Sequence, residues 1–274
     1  MKKIKFNNFV ASNNNPFFLI AGPCVIESRN HTIKMAKLIT NICNELNINF
    51  VFKSSFDKAN RSSIDSYRGA GIETGLEILS EVKDLFKCQI ITDVHNEKQC
   101  DIISKSDIID VLQIPAFLSR QTDLLNAAGA TNKIINIKKG QFLSPFDMTN
   151  IIDKILITKN KKIMLTERGV SFGYKNLVSD FRSIEIMKRY GYPVIFDATH
   201  SVQEPGGFGN KSGGKREFVP ALSKAAIAVG VAGLFIETHD NPDNAPSDGP
   251  NMINIKDLKK LLIKLIQLDN VTKS

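Results

Sequence analysis

Apolar side chains alternate between two spacings along most of the chain. Helical spacing of three and four residues is clearest in two stripes, the first at Ile72, Leu76, Leu79, Val82 and Phe86, the second at Leu177, Phe181, Ile184 and Met187. Eight apolar runs of strand length lie between helical segments, at 17–21, 48–52, 89–92, 108–114, 133–137, 162–166, 193–196 and 231–236. The pattern therefore predicts a regular succession of strands and helices.

Strands that alternate with helices form a parallel sheet covered by helices. About eight such units without an interruption predict an α/β fold, a closed (β/α)₈ TIM barrel that occupies residues 1–274 as a single domain. The alternative is an open, doubly wound sheet. No Gly-x-Gly-x-x-Gly follows the first strand and no Walker loop is present, which makes that alternative weaker.

Three segments lie outside this repeat. Residues 4–13 alternate weakly around Asn7 and Asn8, which predicts a short N-terminal β-hairpin before the barrel. Residues 255–268 have helical spacing and are expected to close the barrel wall against the first helix. The glycine-rich stretch 204–214 follows the seventh strand and is interpreted as a mobile lid.

The composition favours small anionic substrates over nucleic acid. The net charge is +8, but the chain has no dense basic run with interleaved aromatic residues and no tryptophan. Its four cysteines show no paired spacing, which indicates a reducing compartment. No stretch reaches the roughly 18 apolar residues that a membrane span needs, and no signal segment is recognised. We expect a cytoplasmic protein with no nucleic-acid or membrane partner.

Polar residues follow the predicted strands at their carboxyl ends, where barrel enzymes carry their active sites. In chain order these residues are Cys24, Lys53, Asp93, Gln113, Lys138, Arg168, His200 and Glu237. Each residue alone is a weak signal. Eight successive strands that end in chemically capable side chains predict an active site at this end of the barrel.

Closure of the barrel makes the seventh, eighth and first strands neighbours. Cys24, His200, Glu237 and Asp248, which lies on the loop after the eighth strand, would then meet. Thiolate, imidazole and carboxylate together suit a divalent transition metal. Taken singly, Cys24 is more simply a small buried hydrophobic residue and His200 a core histidine. The other three cysteines are interpreted as structural, His31 as exposed, and His95 and His239 as either supporting or packing residues.

The polar loop after the second strand predicts an anion site. Lys53, Lys58, Asn60, Arg61 and Ser62 supply point charges, a planar guanidinium and short donors that suit phosphate or carboxylate. Lys53, Lys58 and Arg61 are expected, with Lys138 and Arg168, to line the side of the mouth opposite the metal. This much positive charge suits a pair of substrates that bear two phosphates and a carboxylate. Alternatively, some of these groups pair with Asp57, Asp93 or Glu167.

Seven short motifs follow one another in order along the chain. They are GPCVIES at 22–28, FKSSFDKANRSS at 52–63, QIPAF at 113–117, NIKKGQF at 136–142, TERG at 166–169, FDATHSV at 196–202 and FIETH at 235–239. In these segments the chain resembles the 3-deoxy-D-manno-octulosonate 8-phosphate synthases, from about residue 17 to the last helix. The related 3-deoxy-D-arabino-heptulosonate 7-phosphate synthases carry Lys-Pro-Arg-Thr-Ser where this chain has KANRS at 58–62, so Asn60 favours the five-carbon aldose.

The resemblance implies condensation of phosphoenolpyruvate, D-arabinose 5-phosphate and water, a step of lipopolysaccharide (Kdo) biosynthesis. It implies that Lys53, Lys138 and Arg168, with Gln113 and Ala116, hold phosphoenolpyruvate. The implied site for the aldose phosphate comprises Lys58, Asn60, Arg61 and Ser62, together with Arg120 from a neighbouring subunit of a homotetramer.

Cys24 further places the chain in the metal-dependent class of that family, because metal-independent members carry Asn there. The implied cofactor is a divalent ion, Fe²⁺, Zn²⁺, Mn²⁺ or Co²⁺, and the implied catalytic residues are Lys53, Asp93, Lys138 and His200. Asp93 and His200 are the candidate proton-transfer groups. One departure is Asp65, where the family usually has His. Two other hypotheses stay open, a heptulosonate synthase and a basic nucleic-acid-binding barrel without catalysis.

Overall fold

The computed structural model describes residues 1–60, 63–205 and 213–274. The first elements in chain order are β1 (Ile4–Lys5), β2 (Val10–Ala11), β3 (Phe18–Gly22), α1 (Arg29–Glu45), β4 (Phe50–Lys53), α2 (Ile72–Phe86), β5 (Gln89–Asp93) and α3 (Glu97–Ser104). Next come β6 (Val111–Ile114), α4 (Thr122–Ala130), β7 (Ile134–Lys138), α5 (Met148–Leu156), β8 (Ile163–Glu167), β9 (Val170–Ser171), β10 (Leu177–Val178) and α6 (Arg182–Lys188). The last are β11 (Val194–Asp197), β12 (Gln203–Glu204), β13 (Gly213–Gly214), α7 (Val219–Val229), β14 (Gly233–His239), β15 (Ile253–Asn254) and α8 (Ile255–Thr272).

Eight parallel strands close into a barrel. They follow one another as β3, β4, β5, β6, β7, β8, β11 and β14, and β14 pairs with both β11 and β3. The closing register places Leu234 opposite Leu19 and Glu237 opposite Gly22. The predicted (β/α)₈ architecture is confirmed, and closure makes β11, β14 and β3 neighbours as expected.

Two apolar layers pack against this sheet, one on its outer face and one inside the barrel. The larger layer lies between the outer face of the barrel and the helices, where side chains such as Leu79, Leu125 and Leu262 are fully buried. The smaller layer fills the amino-terminal end of the barrel interior. Helix α8 packs on α7 and also contacts α1, so the expected closure of the helical wall is confirmed.

The predicted N-terminal hairpin is confirmed as β1 paired with β2, with Ile4 opposite Ala11. Ile4, Phe6 and Ala11 are buried against inward-facing residues of the barrel strands. The rings of Phe6 and Phe9 stack with centroids 4.4 Å apart. The hairpin therefore closes the amino-terminal end of the barrel, so only the carboxyl end can be open to a ligand.

Several predicted elements have different bounds in the structure. The strand predicted at 108–114 begins at Val111, because the Asp110 carboxylate accepts the backbone N–H of Ile90 at 2.8 Å just before the ladder starts. Strand β14 continues to His239, because Thr238 and His239 pair with β15. Glu237 is consequently not the last residue of its strand.

The helix predicted from the stripe at 177–187 is shorter than the stripe. Leu177 and Val178 form β10, which pairs with β9, and the helix begins only at Arg182. Asp180 accepts the backbone N–H of Arg182 at 3.0 Å at this start. Most of the predicted lid, residues 206–212, lies outside the described residues.

The described helices include none that is long and apolar enough to cross a membrane.

Candidate active site

The predicted site residues gather at the carboxyl end of the barrel. Lys53, Asp93 and Lys138 are the last residues of β4, β5 and β7, and Gln113 is next to last in β6. Arg168 directly follows β8. These side chains are buried, so each charged group depends on protein partners or a ligand rather than on water.

Four candidate metal ligands meet where β11, β14 and β3 adjoin. The Cys24 Sγ lies 3.1 Å from Asp248 Oδ2, and the ligand atoms of Cys24, Glu237 and Asp248 all lie within 4.8 Å of one another. The Nε2 atom of His200 lies 3.7 Å from Glu237 Oε2 and 3.8 Å from Asp248 Oδ2. The structure thus brings Cys24, Glu237 and Asp248 into one group, and it places His200 beside the two carboxylates of that group.

The geometry of this cluster fits a cation. In the described part of the chain, Glu237 Oε2 is buried and has no hydrogen-bond partner. A buried carboxylate oxygen without a donor is costly, and a cation between it and Asp248 would satisfy both. Asp248 has a φ of 52°, a left-handed conformation that few residues other than glycine adopt, and this turn holds its carboxylate at the cluster.

Burial keeps the Cys24 thiol protonated in the absence of a metal ion, even with two lysines nearby. Burial, with Glu237 and Asp248 nearby, raises the pKa of the Cys24 thiol well above its ordinary value, against the opposing effect of Lys58 and Lys53. A thiolate forms here only when a cation is added, because a metal ion replaces the thiol proton.

Lys53 lies within this cluster. Its Nζ donates to Glu237 Oε1 at 2.7 Å and to the Cys24 carbonyl at 2.9 Å, and both side chains of the ion pair are 1% exposed. The expectation that Lys53 lines the side opposite the metal ligands is therefore wrong. The physical reason is reach: a lysine at the end of β4 extends across β3 to the carboxylate of β14.

Asp93 is a fully engaged carboxylate. It accepts from Gln113 Nε2 at 2.5 Å, from Lys58 Nζ at 3.3 Å and from the hydroxyl of Ser55. Although burial opposes ionisation, Lys58 and Lys53 hold the pKa of Asp93 well below its ordinary value. The predicted pairing of part of the basic set with Asp93 is confirmed for Lys58.

Asp197, to which sequence reasoning gave no role, connects two site residues. Its Oδ2 accepts from His200 Nδ1 at 2.8 Å and from the ammonium of Lys138, and its side chain is 0% exposed. A carboxylate on Nδ1 fixes the tautomer of the ring and directs Nε2 toward Glu237 and Asp248. Asp197 ends β11, so the strand-end rule that selected the other residues was a signal for it.

Burial and neighbouring charges shift the pKa values of His200 and Lys138, the two partners of Asp197. Burial opposes the imidazolium, but Asp197 and Glu237 raise the pKa of His200 to about 9. Burial lowers the pKa of Lys138 to about 8, although Asp197 opposes this effect. The Lys138 Nζ lies 3.3 Å from the centroid of the Phe235 ring, which supports it from inside the barrel.

Arg168 presents a free edge to the mouth. Its Nη2 donates to Gln203 Oε1 at 2.9 Å, whereas Nη1 is buried without a hydrogen-bond partner among the described residues. Gln203 also donates to Asp248 Oδ1 at 3.2 Å and so connects the arginine to the acidic cluster. Glu167 accepts the backbone N–H of Arg168 at 3.0 Å and holds the turn. Gln203 is a second residue that sequence reasoning missed.

The remaining predicted residues are placed less closely. Asn60 is exposed in a turn, and Arg61 and Ser62 lie outside the described residues. Ala116 begins a short 3₁₀ turn after β6, and Arg120 is exposed beyond it. Among the contacts that the structure describes, none joins the Arg120 guanidinium to the mouth of its own barrel.

The histidines and cysteines outside the cluster differ partly from expectation. His31 is only 15% exposed, because it packs on His239 with ring centroids 4.5 Å apart, so its predicted exposure is wrong. Cys43 lies in α1, Cys100 in α3 and Cys88 just before β5. All four cysteines are free and buried.

Comparison with known proteins gives the family. The model of the DAHP synthetase I family matches residues 2–274. The chain is a member of the DAHP synthetase I family.

Relatives within the DAHP synthetase I family cover nearly the whole chain. The protein named 2-dehydro-3-deoxyphosphooctonate aldolase from Rickettsia prowazekii is 57% identical over 274 residues, 100% of this chain and 99% of its own length. Proteins of the same name from Bartonella henselae and Agrobacterium fabrum are each 56% identical, over 98% and 96% of this chain and 96% and 92% of their own lengths.

Proposed function

We propose that the chain condenses phosphoenolpyruvate with D-arabinose 5-phosphate and water to give 3-deoxy-D-manno-octulosonate 8-phosphate and inorganic phosphate, in the biosynthesis of Kdo. The observation that carries the proposal is the cluster of Cys24, His200, Glu237 and Asp248 interleaved with buried cations. Near-full-length relatives named 2-dehydro-3-deoxyphosphooctonate aldolase support the same activity.

Lys138, Arg168 and Lys53 are the proposed holders of phosphoenolpyruvate, with Gln113 and Ala116 beside them. The unpartnered Nη1 of Arg168 supports this role, because a phosphate or carboxylate would satisfy it with a charge-assisted hydrogen bond. Lys138 is an ammonium at neutral pH, since its lowered pKa of about 8 still exceeds 7. These three cations offset the charge of the bound anion and orient it.

Lys58, Asn60, Arg61 and Ser62 are the proposed site for the aldose phosphate. Lys58 supports this role as a buried cation that donates to Asp93 Oδ2 at 3.3 Å. Arg120 completes the site in our proposal from a neighbouring subunit of a homotetramer, which agrees with its exposed position on one subunit. A cytoplasmic location also stays a prediction.

The proposed reaction forms one carbon–carbon bond and one carbon–oxygen bond, and it breaks one carbon–oxygen bond. C3 of phosphoenolpyruvate attacks the aldehyde carbon of the aldose, and C2 becomes electron-deficient. Water adds to C2, and phosphate leaves with its bridging oxygen. Asp93, which is held ionised by Lys58 and Lys53, accepts a proton poorly and serves better to position Lys58 and Gln113.

Cys24, His200, Glu237 and Asp248 would hold a divalent ion, Fe²⁺, Zn²⁺, Mn²⁺ or Co²⁺. When bound, such an ion polarises a carbonyl oxygen or lowers the pKa of water. Asp197 accepts a hydrogen bond from Nδ1–H of His200, so the ring proton stays on Nδ1 and Nε2 faces this set. Lys53 neutralises Glu237 from the other side through Oε1.

A substrate comparison tests the proposed activity. We expect phosphate release from phosphoenolpyruvate to be much faster with D-arabinose 5-phosphate than with D-erythrose 4-phosphate, because KANRS at 58–62 matches the five-carbon class. Measurement of kcat/KM for both aldoses with one enzyme preparation checks this. Equal or better use of erythrose 4-phosphate would instead indicate a heptulosonate synthase.

Metal removal tests the ligand set. We expect exhaustive chelation to abolish turnover and added metal to restore it, and Cys24→Ala to lose both metal and activity. Cys24→Asn is expected to keep measurable activity that chelator does not remove, because the resemblance places Asn here in metal-independent relatives. Full turnover by wild-type enzyme that elemental analysis shows to be metal-free would contradict the proposed role of Cys24.

A further inference from the structure

A second group of metal-ligating side chains lies beside the cluster of Cys24. Glu27 precedes α1, His31 lies in the first turn of α1, and His239 ends β14. Their ligand atoms lie within 4.8 Å of one another. We propose that Glu27, His31 and His239 form a second site for a divalent transition metal, of the Zn²⁺ type, distinct from the site proposed for catalysis.

The tautomer of His31 is set by Asp240. Its Nε2 lies 3.1 Å from Asp240 Oδ1, and an ionised carboxylate only accepts, so the proton of the neutral ring is on Nε2. Nδ1 is then a lone-pair donor to any ligand. It is buried and has no hydrogen-bond partner within the described ranges.

The neighbour of this lone pair is another acceptor. Nδ1 of His31 lies 3.9 Å from Glu27 Oε1, which is too long for a hydrogen bond. The separation is shorter than twice a zinc–ligand bond of about 2.0–2.2 Å, so one ion can contact both atoms. A cation here would satisfy a buried group that the protein itself leaves unsatisfied.

His239 supplies the third ligand. Its Nε2 lies 2.8 Å from the same Glu27 oxygen, and its Nδ1 accepts the backbone N–H of Asn241 at 2.9 Å. Binding of an ion at Nε2 moves the ring proton to Nδ1, where Asp240 Oδ1 at 3.2 Å accepts it. The contact with Asn241 is given up in exchange.

Asp240 would therefore orient both imidazoles. A carboxylate that accepts the N–H of the ring nitrogen not bound to the metal fixes the orientation of a metal-binding histidine and raises its basicity. Lys34 donates to the other oxygen of Asp240 at 2.6 Å and holds it in place. Two imidazoles and one carboxylate suit zinc-type ions and leave one position for water.

The position of the site gives it a consequence for the first cluster. Glu27 follows Cys24 by three residues, and His239 follows Glu237 by two. An ion held by Glu27 and His239 would tie together the two segments that carry Cys24 and Glu237.

Cobalt titration of the full chain tests the proposal. Co²⁺ is added to metal-free wild type, and bound cobalt per chain is counted while the thiolate-to-cobalt absorption reports Cys24. We expect two equivalents in the wild type, and one in His31→Gln with the thiolate absorption unchanged. His95→Gln, which removes a histidine elsewhere at the mouth, is the matched control and is expected to keep two. Glu27→Gln, at a side chain 24% exposed, repeats the test independently of the helix.

The outcomes separate the two metal proposals. One equivalent in the wild type with the thiolate absorption, or two equivalents retained in both His31→Gln and Glu27→Gln, would overturn the second site and leave an ion-pair network. One equivalent in the wild type without the thiolate absorption, lost in His31→Gln, would support the second site and contradict the role of Cys24.

Discussion

Replacement of Asp197 by Asn is the sharpest probe of the site's electrostatics. The carboxylate accepts His200 Nδ1 and the backbone N–H of His200, both at 2.8 Å, and the ammonium of Lys138. Asn keeps the shape but removes the charge, and its amide NH₂ then faces either Lys138 or His200. Loss of one partner from a buried ion pair costs about 3–5 kcal/mol, because the remaining charge is uncompensated.

The same substitution should weaken metal binding. Loss of the carboxylate that orients a ligating histidine typically costs about 10–100-fold in metal affinity or activity. We therefore expect Asp197→Asn to show both a lower free energy of unfolding in urea and a weaker metal affinity in competition with a chromogenic chelator. The two measurements are independent, since unfolding can be followed on metal-free protein.

Asp101→Asn is the matched control for this experiment. Asp101 pairs with Lys105 at 2.8 Å, but the two side chains are 64% and 69% exposed. Exposed pairs contribute about 0–1 kcal/mol, so this variant should unfold almost as the wild type does and bind metal equally well. If Asp197→Asn matched Asp101→Asn in both stability and metal affinity, the proposed connection from Asp197 to His200 and Lys138 would be wrong.

Two further predictions concern Lys138 and Gly22. Burial lowers the pKa of Lys138 to about 8, so kcat/KM for phosphoenolpyruvate should fall as pH rises through 8, where the free enzyme loses this ammonium. Lys138→Arg should move the fall to higher pH. A flat profile of kcat/KM from pH 7 to 9.5 would count against the role of Lys138. A Cβ added at Gly22 would lie 1.8 Å from the Lys53 carbonyl oxygen, so Gly22→Ala should lower the free energy of unfolding by about 1–3 kcal/mol or more and reduce turnover. Gly71→Ala is its control, because nothing lies within 4 Å there and only the backbone φ of 80° opposes the side chain; equal losses in the two variants would show that the contact with Lys53 does not matter.

The strand order was predictable because it depends on patterns that are local in sequence. Apolar runs and helical stripes mark the units, and closure follows from their number. Closure alone then brings Cys24, Glu237 and Asp248 together, without knowledge of any distance. The failures at 108–114 and at 177–187 come from Asp110 and Asp180, whose carboxylates take backbone N–H groups that periodicity does not consider.

Side-chain direction was not predictable in the same way. Lys53 extends across a neighbouring strand to Glu237, and Gln203 connects Arg168 to Asp248 from a loop. Such contacts depend on rotamers and on the tilt of strands, which a list of strand ends does not contain. Asp197 is different, because it is the last residue of its strand, and the strand-end pattern applies to it as well as to His200 three residues later.

Phe235 connects the two ends of the barrel. Phe235 belongs to the same buried apolar cluster as Ile4 and Phe6 of the hairpin, and the centroid of its ring lies 3.3 Å from the Nζ of Lys138. The Phe235 ring that lies under the ammonium of Lys138 is thus also part of the apolar cluster of the hairpin. Residues at the start of the chain, far from the carboxyl end of the barrel, therefore help to set the position of the Phe235 ring. A change in their packing would shift this ring and the ammonium of Lys138 above it without unfolding the barrel.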